Sequence, residues 1–348
     1  MSSSPRWEKA AEAYATGEHK SGHDLELVVE FANPGGYERE LDVGAGAGHT
    51  ALALAPYVHF VIVTDPVEGM LAAARQVFAR IGVSNAEFVH ATAERLPFDD
   101  ASFEIATCRL AAHHFEDVGL AMHEIARVLR HGGRFILVDT LAPEDAVSAH
   151  FQDEVELLRD PTHRRIYRKD QWIAFCENAG LHVERAEVVA KSHPFEAWLE
   201  RGGEDAPTMQ RVRERFLNAP PSAIRDLGIT IADGTVTSFT DNKLVLGTRR
   251  RSMMEQFSTP RSNLIESNSG FSTEVMGMTG MRYVEGGRSM HLDSEVLARP
   301  NAIGLWRASV GRWDPPHDAE PVGSDDRIRI LENIRRAFES QGQDVDII

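Results

Sequence analysis

Between Glu40 and Thr140, short apolar runs alternate with stretches in which apolar residues recur at helical spacing. Strands are expected near 39–43, 59–64, 86–90, 103–108 and 133–139. Such alternation marks a parallel sheet covered by helices on both faces. The helix ahead of the last of these strands, Val118 to Leu129, carries Leu120, Ile125 and Leu129 at roughly helical spacing, and His131-Gly132-Gly133 stops it. Beyond Pro143 the pattern gives two mostly polar helices, Asp145 to Arg159 and Lys169 to Asn178. A strand follows at about 182–189, and a last one covers Lys243 to Thr248. The expected class is α/β, a seven-stranded sheet in a domain spanning residues 1–250. Its ligand crevice belongs at the carboxyl ends of strands one, two and four, where the strand order reverses.

The pattern changes after residue 250. Residues 251–280 are rich in Ser, Thr, Met, Asn and Gly, have no period, and read as a linker. From Met281 a separate small α+β domain is expected to run to residue 348, as if two genes had been fused. It opens on alternation about Gly286-Gly287 (Arg282 to Glu285, Arg288 to Leu292), a hairpin signal. An apolar strand, Ala302 to Trp306, and the turn Trp313-Asp314-Pro315-Pro316 come next. The closing helix is capped by Ser324, with Asp325 and Asp326 in its first turn. Its apolar face is Ile328, Leu331, Ile334 and Phe338, and Gly342 stops it.

The 348 residues suffice for one large or two ordinary domains. Hydrophobic content of 42% and charge of 26% are those of a soluble globular protein. A formal charge of −16 counts against nucleic acid as a partner, since a phosphate backbone needs basic patches. The tight basic run Arg249-Arg250-Arg251 reads as a solvated linker edge. Cys108 and Cys176 give neither a disulfide framework nor a metal spacing, and Cys108, ending an apolar strand, reads as a buried thiol. No apolar run approaches the roughly 20 residues of a membrane span. Met1 to Ala13 lacks the apolar core of a signal peptide, so a cytoplasmic protein is expected. Arginine outnumbers lysine 32 to 5, which reads as genome composition.

The candidate chemistry starts at Leu41-Asp42-Val43-Gly44-Ala45-Gly46-Ala47-Gly48, a strand that breaks into a turn with glycine at every second position. Glycine serves where the backbone takes positive φ or approaches a ligand closely. A helix-forming run, Thr50 to Ala55, follows and would present unpaired N–H groups to the crevice. A dinucleotide fingerprint would need a third glycine at His49, so a nicotinamide cofactor does not fit. Asp42 stands where a pyrophosphate would be repelled, and it suits a ligand with an amino acid end better. The next strand, Phe60 to Thr64, ends in Asp65, 21 residues after Gly44, the spacing at which a carboxylate grips ribose hydroxyls. Asp65 could instead cap the helical run Glu68 to Ile81. A third block, Ala91 to Glu104, leads into Ile105-Ala106-Thr107-Cys108 and then Leu110-Ala111-Ala112-His113-His114-Phe115.

These blocks together resemble the class I S-adenosylmethionine-dependent methyltransferases, of the type that includes the ubiquinone/menaquinone-biosynthesis C-methyltransferases (methyltransferase type 11 domain). The resemblance runs from about Ala13 to Arg249, with Thr92 standing where many members carry aspartate. It implies a Rossmann-like sheet with helices on both faces and the last strand inserted antiparallel. It also implies S-adenosyl-L-methionine as cofactor and methyl transfer to a small-molecule acceptor. Gly44, Gly46 and Gly48 would admit the methionine part and Asp42 its ammonium. Asp65 would hold the ribose, Pro66 and Val67 the adenine face, and Ala93 and Glu94 its edge, with Leu96 as an apolar wall. Cys108 and Arg109 would line the methionine side, and Tyr14 and His19 would close over it. The tail is similar to immunity-type proteins encoded beside bacterial polymorphic toxins, on Tyr283 to Arg288 and Trp313 to Pro316. That similarity implies a protein partner for residues 281–348; a structural appendage is the competing reading.

For an acceptor that must lose a proton, His113, His114 and His19 are the candidate bases. Adjacent histidines point apart, so at most one of His113 and His114 is expected in the cleft. No metal spacing accompanies them. The acceptor pocket is expected from 145–170 and 194–227, with Trp172, Trp198, Phe195 and Phe216 as apolar lining.

Overall fold

The computed structural model describes residues 22–202, 204–251, 257–299 and 301–348, with the backbone alone described at Asp325. These residues form two compact units, one of residues 22–34 and 38–251, the other of residues 35–37 with those from 257 onward.

In the first unit, helix α1 (His23–Ala32) precedes β1 (Arg39–Val43), α2 (His49–Leu54), β2 (Phe60–Asp65), α3 (Glu68–Ile81) and β3 (Ala86–His90). Then come β4 (Phe103–Arg109), α4 (Val118–Val128), β5 (Leu129–Leu141), α5 (Ala146–Arg159), α6 (Lys169–Asn178) and β6 (Leu181–Pro194). Helices α7 (Phe195–Arg201), α8 (Ala206–Leu217) and α9 (Pro221–Asp226) lead to β7 (Thr230–Ala232) and β8 (Thr235–Arg250). The sheet order is β3-β2-β1-β4-β5-β8-β6, and the short β7 adds to β8 as an eighth strand. Strands β1 to β5 are parallel, while β8 runs antiparallel between β5 and β6. The inserted reversed strand is therefore as the resemblance implied.

Strands β1 and β4 are buried almost throughout, because helices cover both faces of a parallel sheet. One apolar core (Leu41, Ala106, Leu137 among its members) lies on one side and a second (Val61, Ile105, Val138) on the other. Asp117 and Asp145 cap α4 and α5 by accepting from Leu120 N and Ser148 N, each at 2.9 Å. The buried stripe of α4 is Val118, Ala121, Met122 and Ile125 rather than one through Leu120, which is 48% exposed. The i, i+3, i+4, i+7 pattern is set by Val118, Ala121, Met122 and Ile125, a stripe that passes beside Leu120. Helix α4 also stops one residue earlier than expected, at Val128, and β5 starts before the two glycines.

The second unit begins earlier in the chain than Met281. Residues expected as linker form β9 (Phe257–Arg261), β10 (Leu264–Ser267) and β11 (Phe271–Val275). These continue into β12 (Gly280–Glu285), β13 (Arg288–Val296), β14 (Ala302–Leu305), helix α10 (Ser324–Glu339) and β15 (Asp344–Ile347). All seven strands make one sheet, order β15-β14-β13-β12-β11-β10-β9. The linker reading failed because Thr273 and Ser267 share the inward positions with Ile265 and Phe271, so the alternation carries only half an apolar signature there. The hairpin at Gly286-Gly287 forms, pairing Glu285 with Arg288, and both glycines take positive φ. Gly323 rather than Ser324 is the cap of α10, whose Ile328, Leu331, Ile334 and Phe338 are buried. Trp313 is buried with the Arg288 guanidinium 4.4 Å over its ring. No helix among the described residues is long and apolar enough to cross a membrane.

Candidate functional site

The three turn glycines all have left-handed φ, +65° at Gly44, +55° at Gly46 and +77° at Gly48. A Cβ on Gly44 would lie 2.8 Å from Ala111 Cβ, and one on Gly48 would lie 3.0 Å from the Phe78 ring. A Cβ on Gly46 would meet nothing within 4 Å, because Gly46 borders open space. The turn is held by Asp65 at the end of β2. Its Oδ2 accepts from Gly46 N at 2.9 Å and its Oδ1 from Val67 N at 2.8 Å. Each oxygen keeps a lone pair beyond these bonds. Burial pushes the Asp65 carboxyl up to about 6, with the two backbone donors opposing.

Around this turn lies a cavity of about 380 Å³ at the carboxyl ends of β1, β2, β4 and β5. Of the residues expected to hold a cofactor, Gly44, Gly46, Asp65, Pro66, Val67, Ala93, Glu94 and Arg109 line it, as does Thr92. Glu94 Oε1 also accepts from Glu116 N at 2.9 Å. The Arg109 guanidinium is pinned to Asp24 of α1, 2.7 Å from the same carboxylate oxygen through both Nε and Nη2.

Four expected lining residues sit behind the wall instead. Gly48 packs on Phe78 and Ala74, and Leu96 and Cys108 belong to the core, where burial pushes the Cys108 thiol up. Asp42, 1% exposed, spends its carboxylate on Ala51 N of the six-residue α2 at 3.0 Å and on Thr107 Oγ1 at 3.1 Å. It therefore satisfies a helix donor that the sequence had assigned to a ligand. The Thr107 hydroxyl also lies 2.7 Å from Glu40 Oε1, and burial lifts both acids above the usual carboxylate range. Tyr14 and His19 lie outside the described residues.

His113 and His114 both line the cavity, their ring centroids 4.1 Å apart. The expectation that they diverge assumed extended chain, but Ala112–His114 is a 3₁₀ turn, whose successive side chains are not opposed. His113 Nδ1 is 2.6 Å from Asp139 Oδ1, and its backbone N–H donates to Asp139 Oδ2 at 3.0 Å, leaving Nε2 to the cavity. Burial presses the His113 pKa down, but the Asp139 charge and hydrogen bond outweigh it, and the net shift is upward. Burial and the neighbouring His113 push His114 down to about 3, so it stays neutral.

The rest of the wall comes from β5, β6 and β8, from α5 and the segment that follows it, and from α7. It includes Thr140, Glu156, Arg159, His163, Lys191, His193, Trp198, Arg201, Asp241 and Lys243. This part is ionic, not the apolar pocket expected: of the four aromatics proposed, Trp198 alone lines it. Trp172, Phe195 and Phe216 are core residues. Asp24, Asp139, Asp241 and Lys243 were not singled out in the sequence, although Asp139 closes the apolar run Phe135 to Val138 much as Asp65 closes its own strand. Among the described residues no cluster of His, Cys, Asp and Glu could hold a metal ion.

Sheet order, reversed β8 and a glycine turn facing an acid at the end of β2 define a Rossmann-like methyltransferase class. A methyltransferase-domain family model matches residues 41–137. The uncharacterized methyltransferase YcgJ of Bacillus subtilis is 40% identical over 210 residues, 60% of this chain and 83% of YcgJ. YafE of Escherichia coli is 32% identical over 158 residues, 45% of this chain and 76% of YafE. The crystal structure of YcgJ superposes with a TM-score of 0.64 at 38% identity, over 66% of this chain and 99% of that one. A putative methyltransferase from Bacillus halodurans gives 0.64 at 35% identity, over 66% and 100%. The chain belongs to the class I S-adenosylmethionine-dependent methyltransferases.

Proposed function

We propose that the cavity holds S-adenosylmethionine against the Gly44–Gly48 turn and that His113 takes the proton of a small organic acceptor. The observation that carries this reading is the Asp65 carboxylate, bonded to Gly46 N and Val67 N in the cavity that also contains His113. The open space a Cβ on Gly46 would enter is the cradle the ligand needs. Asp65 would receive the ribose hydroxyls, Pro66 and Val67 the adenine face, Ala93 and Glu94 its edge, and Gly44, Gly46 and Arg109 would border the methionine end. Asp42 would act on the ammonium through its charge from behind the wall. Tyr14 and His19 keep their proposed closing role on the sequence resemblance alone.

When bound, the cofactor would supply an activated methyl carbon open to in-line attack by the acceptor's lone pair, the C–S electron pair leaving on sulfur. The chain aligns the partners, keeps water out and handles the proton. Asp139 fixes the His113 ring, and Nε2 takes the proton of the attacking O–H or N–H as the bond to carbon forms.

Calorimetry tests the site: S-adenosylmethionine should bind with a Kd on the order of micromolar, typical of cofactor affinities. Gly46→Val and Asp65→Ala should each abolish that binding. Tight binding that survives both changes overturns the assignment. An immunity-type role for residues 281–348 rests on the sequence resemblance alone, and co-purification of the full chain with a toxin from a neighbouring gene tests it.

A further inference from the structure

Lysine is scarce in this chain, yet two of its five, Lys191 and Lys243, line the cavity. Pairing of β6 with β8 brings them together, with Lys191 opposite Asp241 and Val189 opposite Lys243. Lys243 is buried at 7% exposure. Its Nζ lies 2.8 Å from both Thr140 Oγ1 and Asp241 Oδ2, which take two of its three hydrogens. The third meets no acceptor among the described residues. His193, also buried, stacks on Phe239 at 5.0 Å. Its Nε2 is 3.1 Å from Asp241 Oδ1, and its Nδ1 has no hydrogen-bond partner. In a chain of formal charge −16, this wall sets five cations (Arg159, Arg164, Lys191, Arg201, Lys243) against three carboxylates (Glu156, Asp160, Asp241). A buried ammonium with an unused donor is costly unless an acceptor arrives from outside the protein. An apolar acceptor would leave that cost in place, whereas an anion would remove it. The seat also lies beside the base: Thr140, which holds Lys243, follows Asp139, which holds His113.

We propose that the methyl acceptor carries a carboxylate or phosphate group, which accepts the third hydrogen of Lys243 at the wall shared with His193 and Lys191. Its nucleophilic O–H or N–H then faces His113. The proposal rests on the methyl-transfer reading of the cavity, but its test needs no turnover. Benzoate, phenyl phosphate and neutral benzamide are titrated by calorimetry into the full chain at ionic strength held constant with chloride. S-adenosylhomocysteine is titrated into the same samples. At least one anion should bind saturably and at least tenfold tighter than benzamide, and which one does so separates carboxylate from phosphate. Lys243→Met with Asp241→Asn removes both charges, so neither is left buried alone, and should erase the preference. Lys191→Met, at a half-buried position, should weaken anion binding severalfold without disturbing the buried pair. No saturable anion binding, equal binding of benzamide, or a preference that survives the double variant overturns the proposal. Anion binding with no S-adenosylhomocysteine binding would instead overturn the methyl-transfer reading.

Discussion

The two sides of the cavity are made of different material. Around Gly44–Gly48 the backbone forms the surface, and one acid, Asp65, orders it through two N–H bonds. Across from it, side chains from β5, β6, β8 and the turn after β4 meet, Asp139 with His113 and Asp241 with Lys243 and His193. A backbone surface accepts whatever fits its shape and leaves little room for substitution. A side-chain surface can be recast one residue at a time, so the first side suits a constant donor and the second a particular acceptor.

The largest expected effect falls on the second side. His113→Ala should lower kcat by roughly 10²–10⁴-fold, the usual worth of a general base, while S-adenosylmethionine affinity stays intact. A labelled-methyl assay beside calorimetry reads both, and a variant with near-normal turnover breaks the contrast. Asp139→Asn sharpens it. Without the carboxylate, His113 loses the two largest influences that raise its pKa, and burial and the nearby Lys243 are opposed only by Glu156, so the alkaline-rising limb of the pH–rate profile should move to lower pH.

A smaller effect divides the first side within itself. Gly46→Val should cost only backbone strain, about 1–3 kcal/mol, together with cofactor binding. Gly48→Val adds overlap with Phe78 and Ala74 to that strain and should destabilise the fold by about 2–5 kcal/mol in urea titrations. Equal stability of the two variants would show that packing does not separate them.

The smallest effect is a pair of opposed trends with pH. Burial raises the folded-state pKa of Asp65 to about 6, above the ordinary value near 4. Its contribution to stability is thus full below pH ~4 and lost as pH rises through about 6. Cofactor affinity should run the other way, falling by up to about tenfold per pH unit below 6, because a protonated Asp65 loses an acceptor for the ribose. Thermal melts and calorimetry across pH 5–7 should therefore slope in opposite directions.

Legibility in the sequence follows the same division. Strands β1 to β4, the glycine turn and Asp65 belong to one continuous stretch, where local pattern and spacing record the fold. Lys191, His193, Asp241 and Lys243 meet only because β6 pairs with β8 across three intervening helices, and no local spacing stores that meeting. Trp172, Phe195 and Phe216 drew attention as apolar lining because large aromatics look alike in sequence whether they face a cavity or a core. The three strands within 257–275 escaped notice for the converse reason, since their inward Ser and Thr look like loop.

Thr107 has a single hydrogen to give, yet two buried carboxylates, Glu40 and Asp42, contend for it. Among the described residues no lysine or arginine is hydrogen-bonded to either, and burial outweighs the more distant Arg109 charge, so the pair retains a proton of its own toward neutral pH. A cation arriving beside Asp42 favours the release of that proton. Cofactor association then becomes an exchange with the solvent, and its measured heat should vary in proportion to the ionisation enthalpy of the buffer.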